Sequence, residues 1–272
     1  MPGNFPNGLV LVGCGRMGGA LLKGCLDQAV VTAADVTVIE PNDAARADAA
    51  KLGVRVAADA HSIATAPDCL LIAVKPQALD AVLPGYQSFV GGSVFLSIAA
   101  GRTTDSFTRG LGAAAAVIRA MPNTPAQVGR GITALYANAQ VSPAQKARAD
   151  ALMGAVGDVV WLEDEAQMDA VTAVSGSGPA YIFHVIEALA AAARAAGLPG
   201  PMAEQLARAT VTGAAELAYR SEETAEALRR QVTSPGGTTE AALKVLMADK
   251  GLTELMTRAV KAAAERSREL AG

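Results

Sequence analysis

The sequence has few residues of the types that build metal sites, disulfide frameworks and nucleophilic catalytic centres. Its three cysteines, Cys14, Cys25 and Cys69, and its two histidines, His61 and His184, have no partners at metal-ligand spacing, so we expect no metal site. An odd number of cysteines gives no disulfide framework, which predicts a protein of the reducing cytoplasm. A Walker-type phosphate loop, a C-x-x-C pair and a Ser-His-Asp arrangement are also missing, so NTPase, disulfide-exchange and hydrolase functions have no support.

Charge of one sign and long apolar runs are scarce as well. The chain has 23 Lys and Arg residues against 26 Asp and Glu residues, a net charge of -3, with no run of either sign. We therefore expect neither a nucleic-acid partner nor an acidic membrane surface. No apolar run approaches the length of a membrane span, and residues 1–7 show neither the basic nor the apolar part of a targeting segment.

Small apolar residues are what the sequence has in quantity. Hydrophobic residues occupy 51% of its 272 positions, aromatic residues only 4%, and Trp161 is the single tryptophan. This composition suits close-packed helices and βα units, and the length suits two domains.

Short apolar runs alternate with helical patterns through the first half of the chain. Such alternation predicts a mostly parallel, doubly wound sheet, in which ligands bind beyond the carboxyl ends of the strands. The predicted strands are 8–12, 36–40, 69–74, 93–98, 115–121, 132–137 and 159–162, with helices over 77–83 and 142–156.

A glycine motif follows the first predicted strand directly and opens a helix. Residues 13–18 fit G-x-G-x-x-G, in the strand–turn–helix context that gives the pattern meaning. Gly13 permits the tight turn, Gly15 lets a pyrophosphate approach the backbone, and Gly18 lets helix and strand pack closely. The motif predicts dinucleotide binding.

Glu40 ends the second predicted strand, at the place where a dinucleotide site expects an acidic residue. Its carboxylate would accept hydrogen bonds from the adenosine ribose hydroxyls and would repel a 2′-phosphate, which favours NADH. Arg46 or Arg55 could instead pair with that phosphate, so the choice between NADH and NADPH stays open.

The second half of the chain is predicted to be helical, and its first interruption is the sequence Ser-Gly-Ser-Gly-Pro at 175–179. Pro179 favours the first turn of a new helix, with Ser177 or Gly178 at its cap and free N–H groups beyond. Because these helices are apolar but carry few large side chains, we expect an intertwined homodimer or larger oligomer. The predicted helices are 167–174, 180–196, 202–220, 225–231, 239–247 and 252–270.

A second helix start follows the turn Pro235-Gly236-Gly237. The glycines let a ligand approach the backbone, and Thr238 or Thr239 is predicted as the N-cap. Free N–H groups and the positive end of the helix dipole would favour a carboxylate or a phosphate there.

Six motifs, spread from one end of the chain to the other, carry a family resemblance. The chain resembles the Δ1-pyrroline-5-carboxylate reductases. The motif at 13–18 is common to nucleotide-binding enzymes, whereas those at 175–181 and 231–239, in this order and at this separation, are specific. The set is GCGRMG at 13–18, AVKPQ at 73–77, SIAAG at 97–101, MPNTP at 121–125, SGSGPAY at 175–181 and QVTSPGGTT at 231–239.

The resemblance implies an α/β Rossmann-like N-terminal domain, which we expect over 1–163, and an all-α dimerisation domain over 164–272. It also implies NADPH or NADH as reductant and often a decamer of five dimers. The β-hydroxyacid dehydrogenases share this layout but carry a catalytic lysine four residues after a helix-start glycine, where this chain has Ile182 after Gly178. An imine nitrogen is basic enough to take its proton from water, so imine reduction can proceed without that lysine.

The resemblance implies 1-pyrroline-5-carboxylate as substrate and L-proline as product, with the Thr239 hydroxyl hydrogen-bonded to the ring nitrogen. Reduction of a related cyclic imino acid, or a non-catalytic dimer that senses NAD(P), are the alternatives. We expect substrate contacts from Ser175, Ser177, Gly178, Ser234, Gly236, Gly237, Thr238 and Thr239. We expect cofactor contacts from Gly13, Cys14, Gly15, Arg16, Met17, Glu40, Ala73, Val74, Lys75 (through its backbone), Pro76, Ala99, Ala100, Gly101 and Asn123.

Overall fold

The computed structural model describes residues 5–271, which divide into two compact units. The chain up to Gly176, together with the chain from Ala264 onward, forms the first unit, and Ser177–Ala263 forms the second. None of the described helices is both long enough and apolar enough to cross a membrane.

The first unit contains one sheet, which has eight strands within the described part of the chain, in the order β3-β2-β1-β4-β5-β6-β7-β8. Neighbouring strands are parallel except β6 and β7, so β7 and β8 run opposite to the rest. This confirms a mostly parallel, doubly wound sheet. The strands are β1 Leu9–Val12, β2 Val36–Ile39, β3 Arg55–Ala57, β4 Cys69–Ile72, β5 Val94–Ser97, β6 Ala116–Met121, β7 Gly131–Ala137 and β8 Gly157–Trp161.

Helices cover both faces of the sheet, and each face has its own core. Successive residues of a strand point to opposite faces, so Leu9 and Leu11 of β1 enter one core while Val10 and Val12 enter the other. The helices of this unit are α1 Arg16–Asp27, α2 Asp43–Ala50, α3 Leu79–Val82, α4 Thr104–Leu111, α5 Pro143–Gly154 and α6 Met168–Val171.

The predicted strands are all present, but β3, α2 and α4 were not predicted. Strand β3 has three residues and an exposed first residue, and it is held by its backbone pairing with β2. Helices α2 and α4 are eight residues each; α2 has no apolar residue larger than alanine, and α4 has only two, Phe107 and Leu111. Capping marks them instead: the Asn42 side chain accepts from the Ala45 N–H at 2.9 Å, and Thr103 accepts from the Ser106 N–H at 3.2 Å.

The segment from 165 to 176 corrects the predicted helix and extends winding into part of the predicted interruption. We predicted one helix over 167–174, and an interruption over 175–179 at which a new helix starts with Ser177 or Gly178 at its cap. The chain instead forms a 3₁₀ turn at Glu165–Gln167, then α6, then a π-helical stretch at Thr172–Gly176. The hydroxyls of Thr172 and Ser175 donate back to carbonyls four residues earlier, at 2.8 and 3.0 Å, which fits a wound segment in place of an open turn.

The second unit is helical, as predicted, and carries many exposed apolar side chains. Among them are Phe183, 62% exposed, Leu217, 68% exposed, and Val245, 73% exposed. Exposed large apolar groups in this number mark an interaction surface. The remaining helices are α7 Gly178–Ala195, α8 Gly200–Arg220, α9 Ala225–Gln231, α10 Thr238–Leu246 and α11 Leu252–Ala271.

A buried charge cluster joins three elements of the first unit. Arg119 on β6 is 5% exposed and pairs with Glu165 at 3.2 Å. Glu165 also accepts from the backbone N–H of Thr104 at 2.9 Å and from its hydroxyl at 2.7 Å. The Glu165 carboxylate therefore neutralises the buried Arg119 charge and accepts the first N–H of α4.

Candidate functional site

The glycine turn after β1 is built as the motif predicts. Gly13 has φ +89°, and a Cβ there would lie 2.9 Å from the Ala73 carbonyl oxygen. A Cβ on Gly18 would lie 2.5 Å from the Gly13 oxygen and 3.1 Å from the Ala73 Cβ. Both neighbours are backbone or short side chain, so only glycine fits at these two positions, and the turn is pressed against the end of β4.

Gly15, unlike Gly13 and Gly18, is not crowded: no atom lies within 4 Å of where its Cβ would be. Gly15 is the N-cap of α1, and no side chain caps the helix. The first N–H groups of α1 therefore lack both an acceptor within the helix and a side-chain cap, at the positive end of the helix dipole. This arrangement fits a dinucleotide pyrophosphate, and Arg16 and Met17 are the first residues of α1.

Glu40 lies beside this turn. Its carboxylate accepts from the Cys14 N–H at 2.8 Å and from the Asn42 N–H at 2.9 Å. Burial, with a smaller contribution from the Glu40 charge, raises the pKa of the Cys14 thiol, so the thiol is neutral at physiological pH. The carboxylate is thus fixed at the carboxyl end of β2 by two backbone donors.

The remaining residues of the predicted cofactor site stand at the carboxyl ends of β4, β5 and β6. Lys75 is exposed and begins a 3₁₀ turn without capping it through its side chain. The Ala99 N–H donates to the Ser97 hydroxyl at 3.1 Å, and Gly101 has φ +73°. The Asn123 side-chain oxygen accepts from the Ile132 N–H at 3.0 Å, which fixes the loop after β6. The sheet thereby brings to one edge Gly13, Cys14, Gly15, Arg16, Met17, Glu40, Ala73, Val74, Lys75, Pro76, Ala99, Ala100, Gly101 and Asn123.

Ser175 and its neighbours lie close to this edge. A Cβ on Gly176 would come within 2.6 Å of the Met121 Cε, so the segment approaches the end of β6. The Ser175 hydroxyl donates to the Val171 carbonyl at 3.0 Å. Ser177 is the N-cap of α7, as predicted for Ser177 or Gly178, and its side chain does not cap the helix. Gly178 has open space around its Cβ position.

The start of α10 differs from the prediction that Thr238 or Thr239 is its N-cap. Gly236 has φ +71° and Gly237 is extended, so the helix starts one residue earlier, with Gly237 as N-cap and no side-chain cap. Both threonines therefore belong to the first turn. The N–H groups of Thr238 and Thr239 have no acceptor within a helix that begins at Gly237.

Two N–H groups predicted to bind substrate have acceptors in the chain itself. The Gly236 N–H donates to the Glu240 carboxylate at 2.6 Å, and the Gly237 N–H donates to the Ser234 carbonyl at 3.0 Å. The Thr239 hydroxyl makes no hydrogen bond within residues 5–271. Sequence reasoning missed Glu240, although an acidic residue in the first turn of a helix is a recognised capping signal.

Among the described residues there is no group of three or more Cys, His, Asp or Glu side chains placed to hold a metal ion. His184 pairs with Glu187 on the same helix at 3.0 Å.

Comparison with known proteins agrees with this geometry. Residues 9–101 match the family described as NADP oxidoreductase coenzyme F420-dependent, and residues 165–270 match the family described as pyrroline-5-carboxylate reductase dimerisation. The chain is 43% identical to pyrroline-5-carboxylate reductase of Pseudomonas aeruginosa over 97% of this chain and 96% of that one.

Solved structures give the same picture. The structure of a pyrroline-5-carboxylate reductase from Coxiella burnetii has TM-score 0.92 and 37% identity, covering 98% of this chain and 99% of that one. A Plasmodium falciparum pyrroline carboxylate reductase with NADP bound has TM-score 0.82 and 26% identity over the full length of both chains. From its fold, its site and these similarities, the chain belongs to the pyrroline-5-carboxylate reductase family.

Proposed function

We propose that this chain reduces the C=N bond of 1-pyrroline-5-carboxylate with NADH or NADPH and releases L-proline. The observation that carries the proposal is the similarity over 97% of the chain to a reductase of that name. The two uncapped helix starts support it, because one suits a pyrophosphate and the other a small carboxylate.

In this proposal the carboxyl edge of the sheet holds the dinucleotide, which supplies the hydride when bound. The first N–H groups of α1 bind the pyrophosphate, with Gly15 leaving room for it. The loops at 73–76 and 99–101, together with Asn123, line the nicotinamide side. These positions are rigid, because backbone hydrogen bonds such as Ala73 N–H to the Val12 carbonyl, at 2.8 Å, tie them to the strands.

The substrate carboxylate binds at the start of α10 in this proposal. The N–H groups of Thr238 and Thr239 and the Ser234 hydroxyl are its first donors, and those of Gly236 and Gly237 join only if their present acceptors move. The Thr239 hydroxyl donates to the ring nitrogen and orients the C=N bond. Ser175, Ser177 and Gly178 are proposed as further substrate contacts. Positioning of the two reactants and fixed dipoles supply most of the acceleration.

The proposed organisation is a dinucleotide-binding domain over 1–163 and a substrate-binding and dimerisation domain over 164–272, in homodimers that form a decamer. The match of residues 165–270 to a dimerisation family and the exposed apolar side chains of the helical unit support the dimer. A cytoplasmic location is supported by Cys25 and Cys69, which are buried and free.

The test is a spectrophotometric assay of nicotinamide oxidation by the purified full chain, with 1-pyrroline-5-carboxylate as acceptor. Turnover with L-proline as the product supports the proposal. Faster turnover of a six-membered cyclic imino acid would favour the related-substrate alternative. Cofactor binding without turnover of either imine would make the protein a sensor and refute the proposal.

A further inference from the structure

We infer that Glu240 sets how tightly this enzyme holds the carboxylate of its substrate and of its product, an inference that rests on the proposed function. The Glu240 side chain occupies one donor at the start of α10 and keeps a negative charge there. Substrate and product carry the same carboxylate, so this charge weakens the binding of both by the same factor. Glu240 therefore determines affinity and takes no part in hydride transfer.

The Glu240 side chain turns back over the start of its own helix. Glu240 is the third residue of α10, whose N-cap is Gly237. Its Oε2 accepts from the Gly236 N–H at 2.6 Å, as a glutamate at this helix position commonly does with a donor just before the helix. The donors left for an incoming carboxylate are the N–H groups of Thr238 and Thr239, which lack acceptors within the helix.

The Glu240 charge lies in the same helical turn as these free donors. Glu240 follows Thr239 directly, and its hydrogen bond to Gly236 holds the carboxylate at the helix start. The positive end of the helix dipole, which would attract the ligand carboxylate, already interacts with this side chain. Two negative charges at one helix start repel each other, so the bound carboxylate gains less free energy than it would beside a neutral residue.

Three cations of the same helical unit lie around Glu240. The Lys244 Nζ is 3.6 Å from the Glu240 Oε1, and its side chain is 73% exposed, so it offsets only part of the charge. Arg229 and Arg230 border the same cleft, and both pair with Glu226, at 4.0 and 2.6 Å. Whatever attraction these cations supply, loss of the Glu240 charge should tighten carboxylate binding, and loss of the Lys244 charge should weaken it.

The kinetic signature follows from which part of the substrate Glu240 acts on. The reacting group is the C=N bond, whereas the carboxylate is unchanged by the reaction. An interaction that is equally strong in the ground state and in the transition state changes KM without raising kcat. L-proline keeps the same carboxylate, so its affinity should change together with that of the imine. A change at Glu240 should therefore shift both affinities in one direction and by one factor.

The experiment measures KM and kcat for 1-pyrroline-5-carboxylate at saturating NADPH, and the Kd of L-proline by calorimetric titration of the full-length enzyme with NADP⁺. Glu240→Gln keeps an acceptor for the Gly236 N–H and removes the charge, so KM and Kd should each fall at least threefold without a rise in kcat. Lys244→Met should raise both constants. Glu254→Gln is the matched control, because Glu254 forms a similar pair with Arg258 on α11, at 3.6 Å, and should leave both constants unchanged.

Opposite shifts in the two variants separate charge from damage to the helix, because a distorted α10 would weaken binding in both. The inference is overturned if Glu240→Gln leaves KM and Kd unchanged or raises them, or if Lys244→Met lowers them. Failure of the proposed function is distinguishable. In that case the wild-type enzyme does not reduce the imine, and the inference falls with it, whereas failure of the inference alone leaves the wild-type reaction intact and removes only the shifts expected in the variants.

Discussion

Replacement of Glu165 by Ala should destabilise the first unit severely. Glu165 accepts three hydrogen bonds, from the N–H and the hydroxyl of Thr104 and from Arg119. The Arg119 and Glu165 side chains are 6% and 19% exposed. The variant therefore leaves a buried guanidinium without its counter-charge and the first N–H of α4 without an acceptor.

The magnitude follows from this burial. Breaking a buried ion pair by removing one partner costs about 3–5 kcal/mol. Because Glu165 keeps some contact with water, we expect about 3 kcal/mol. For a unit of this size, 1 kcal/mol corresponds to about 2–4 °C in Tm, so Tm should fall by about 6–12 °C.

Thermal unfolding followed by circular dichroism measures the loss, at one fixed protomer concentration because dissociation of an oligomer also shifts Tm. Glu163→Ala is the control, since Glu163 is exposed, lies two residues earlier and should change stability by less than about 0.5 kcal/mol. The double variant Arg119→Met with Glu165→Gln removes the buried charge and keeps an acceptor for Thr104, so it should recover most of the loss.

The reasoning is wrong if Glu165→Ala melts within about 2 °C of Glu163→Ala, since 2 °C corresponds to about 0.5–1 kcal/mol at this size. It is also wrong if the double variant is no more stable than Glu165→Ala. That outcome would mean that the unpaired Arg119 charge is not what destabilises the Glu165→Ala variant.

Three further predictions concern the glycine turn, the substrate turn and pH. Gly18→Ala places a Cβ 2.5 Å from the Gly13 oxygen, so it should lower dinucleotide affinity, measured by titration, at least tenfold. Gly19→Ala is the control: its Cβ would lie 3.9 Å from the nearest neighbouring atom, so the free energy of unfolding should rise by about 0.5–1 kcal/mol. Thr239→Ala should lower kcat more than tenfold, which corresponds to an activation barrier higher by about 1.4 kcal/mol or more. Thr239→Ser keeps the hydroxyl and should recover part of the loss. An unchanged kcat in Thr239→Ala would remove Thr239 from the mechanism. Burial raises the pKa of Cys25 to about 12, so the unfolded chain, with a thiol pKa of about 8.5, loses its proton first and stability falls as pH rises between these values. Cys25→Ala should flatten that alkaline decline in urea titrations by up to about 1.4 kcal/mol per pH unit, and an unchanged slope would contradict the assignment.

How far sequence predicts this fold depends on what holds each element. Strands β1, β4 and β5 are buried throughout, so their apolar runs were sufficient evidence. Strand β3 is held by backbone pairing at the sheet edge, which leaves no trace in side-chain pattern. Arg119 was a signal in the sequence that the predictions did not use. A charge inside an apolar strand requires a buried partner, so Arg119 predicts a buried counter-charge.

The glycine turn at the carboxyl edge of the sheet was predictable because its backbone geometry restricts the residue type. Gly13 and Gly18 are required by backbone contacts closer than a Cβ allows, and such contacts permit only one residue type. Cofactor preference was not predictable, because Arg46 and Arg55 are equally available in the sequence. In the structure Arg46 donates to the Glu40 carbonyl, whereas Arg55 borders the opposite end of the sheet.

The start of α10 shows why a helix-start motif does not determine which N–H groups a ligand finds. The glycines and threonines at this helix start indicate an anion site. However, the Glu240 carboxylate already accepts from the Gly236 N–H at 2.6 Å, and its other oxygen lies 3.6 Å from the Lys244 ammonium. A substrate carboxylate at Gly236 would meet a like charge, whereas Thr238 and Thr239 offer N–H groups free of helical acceptors. The position of one side chain within the first turn therefore moves the most favourable carboxylate position toward Thr239, the residue whose hydroxyl the proposed reaction needs beside the imine nitrogen.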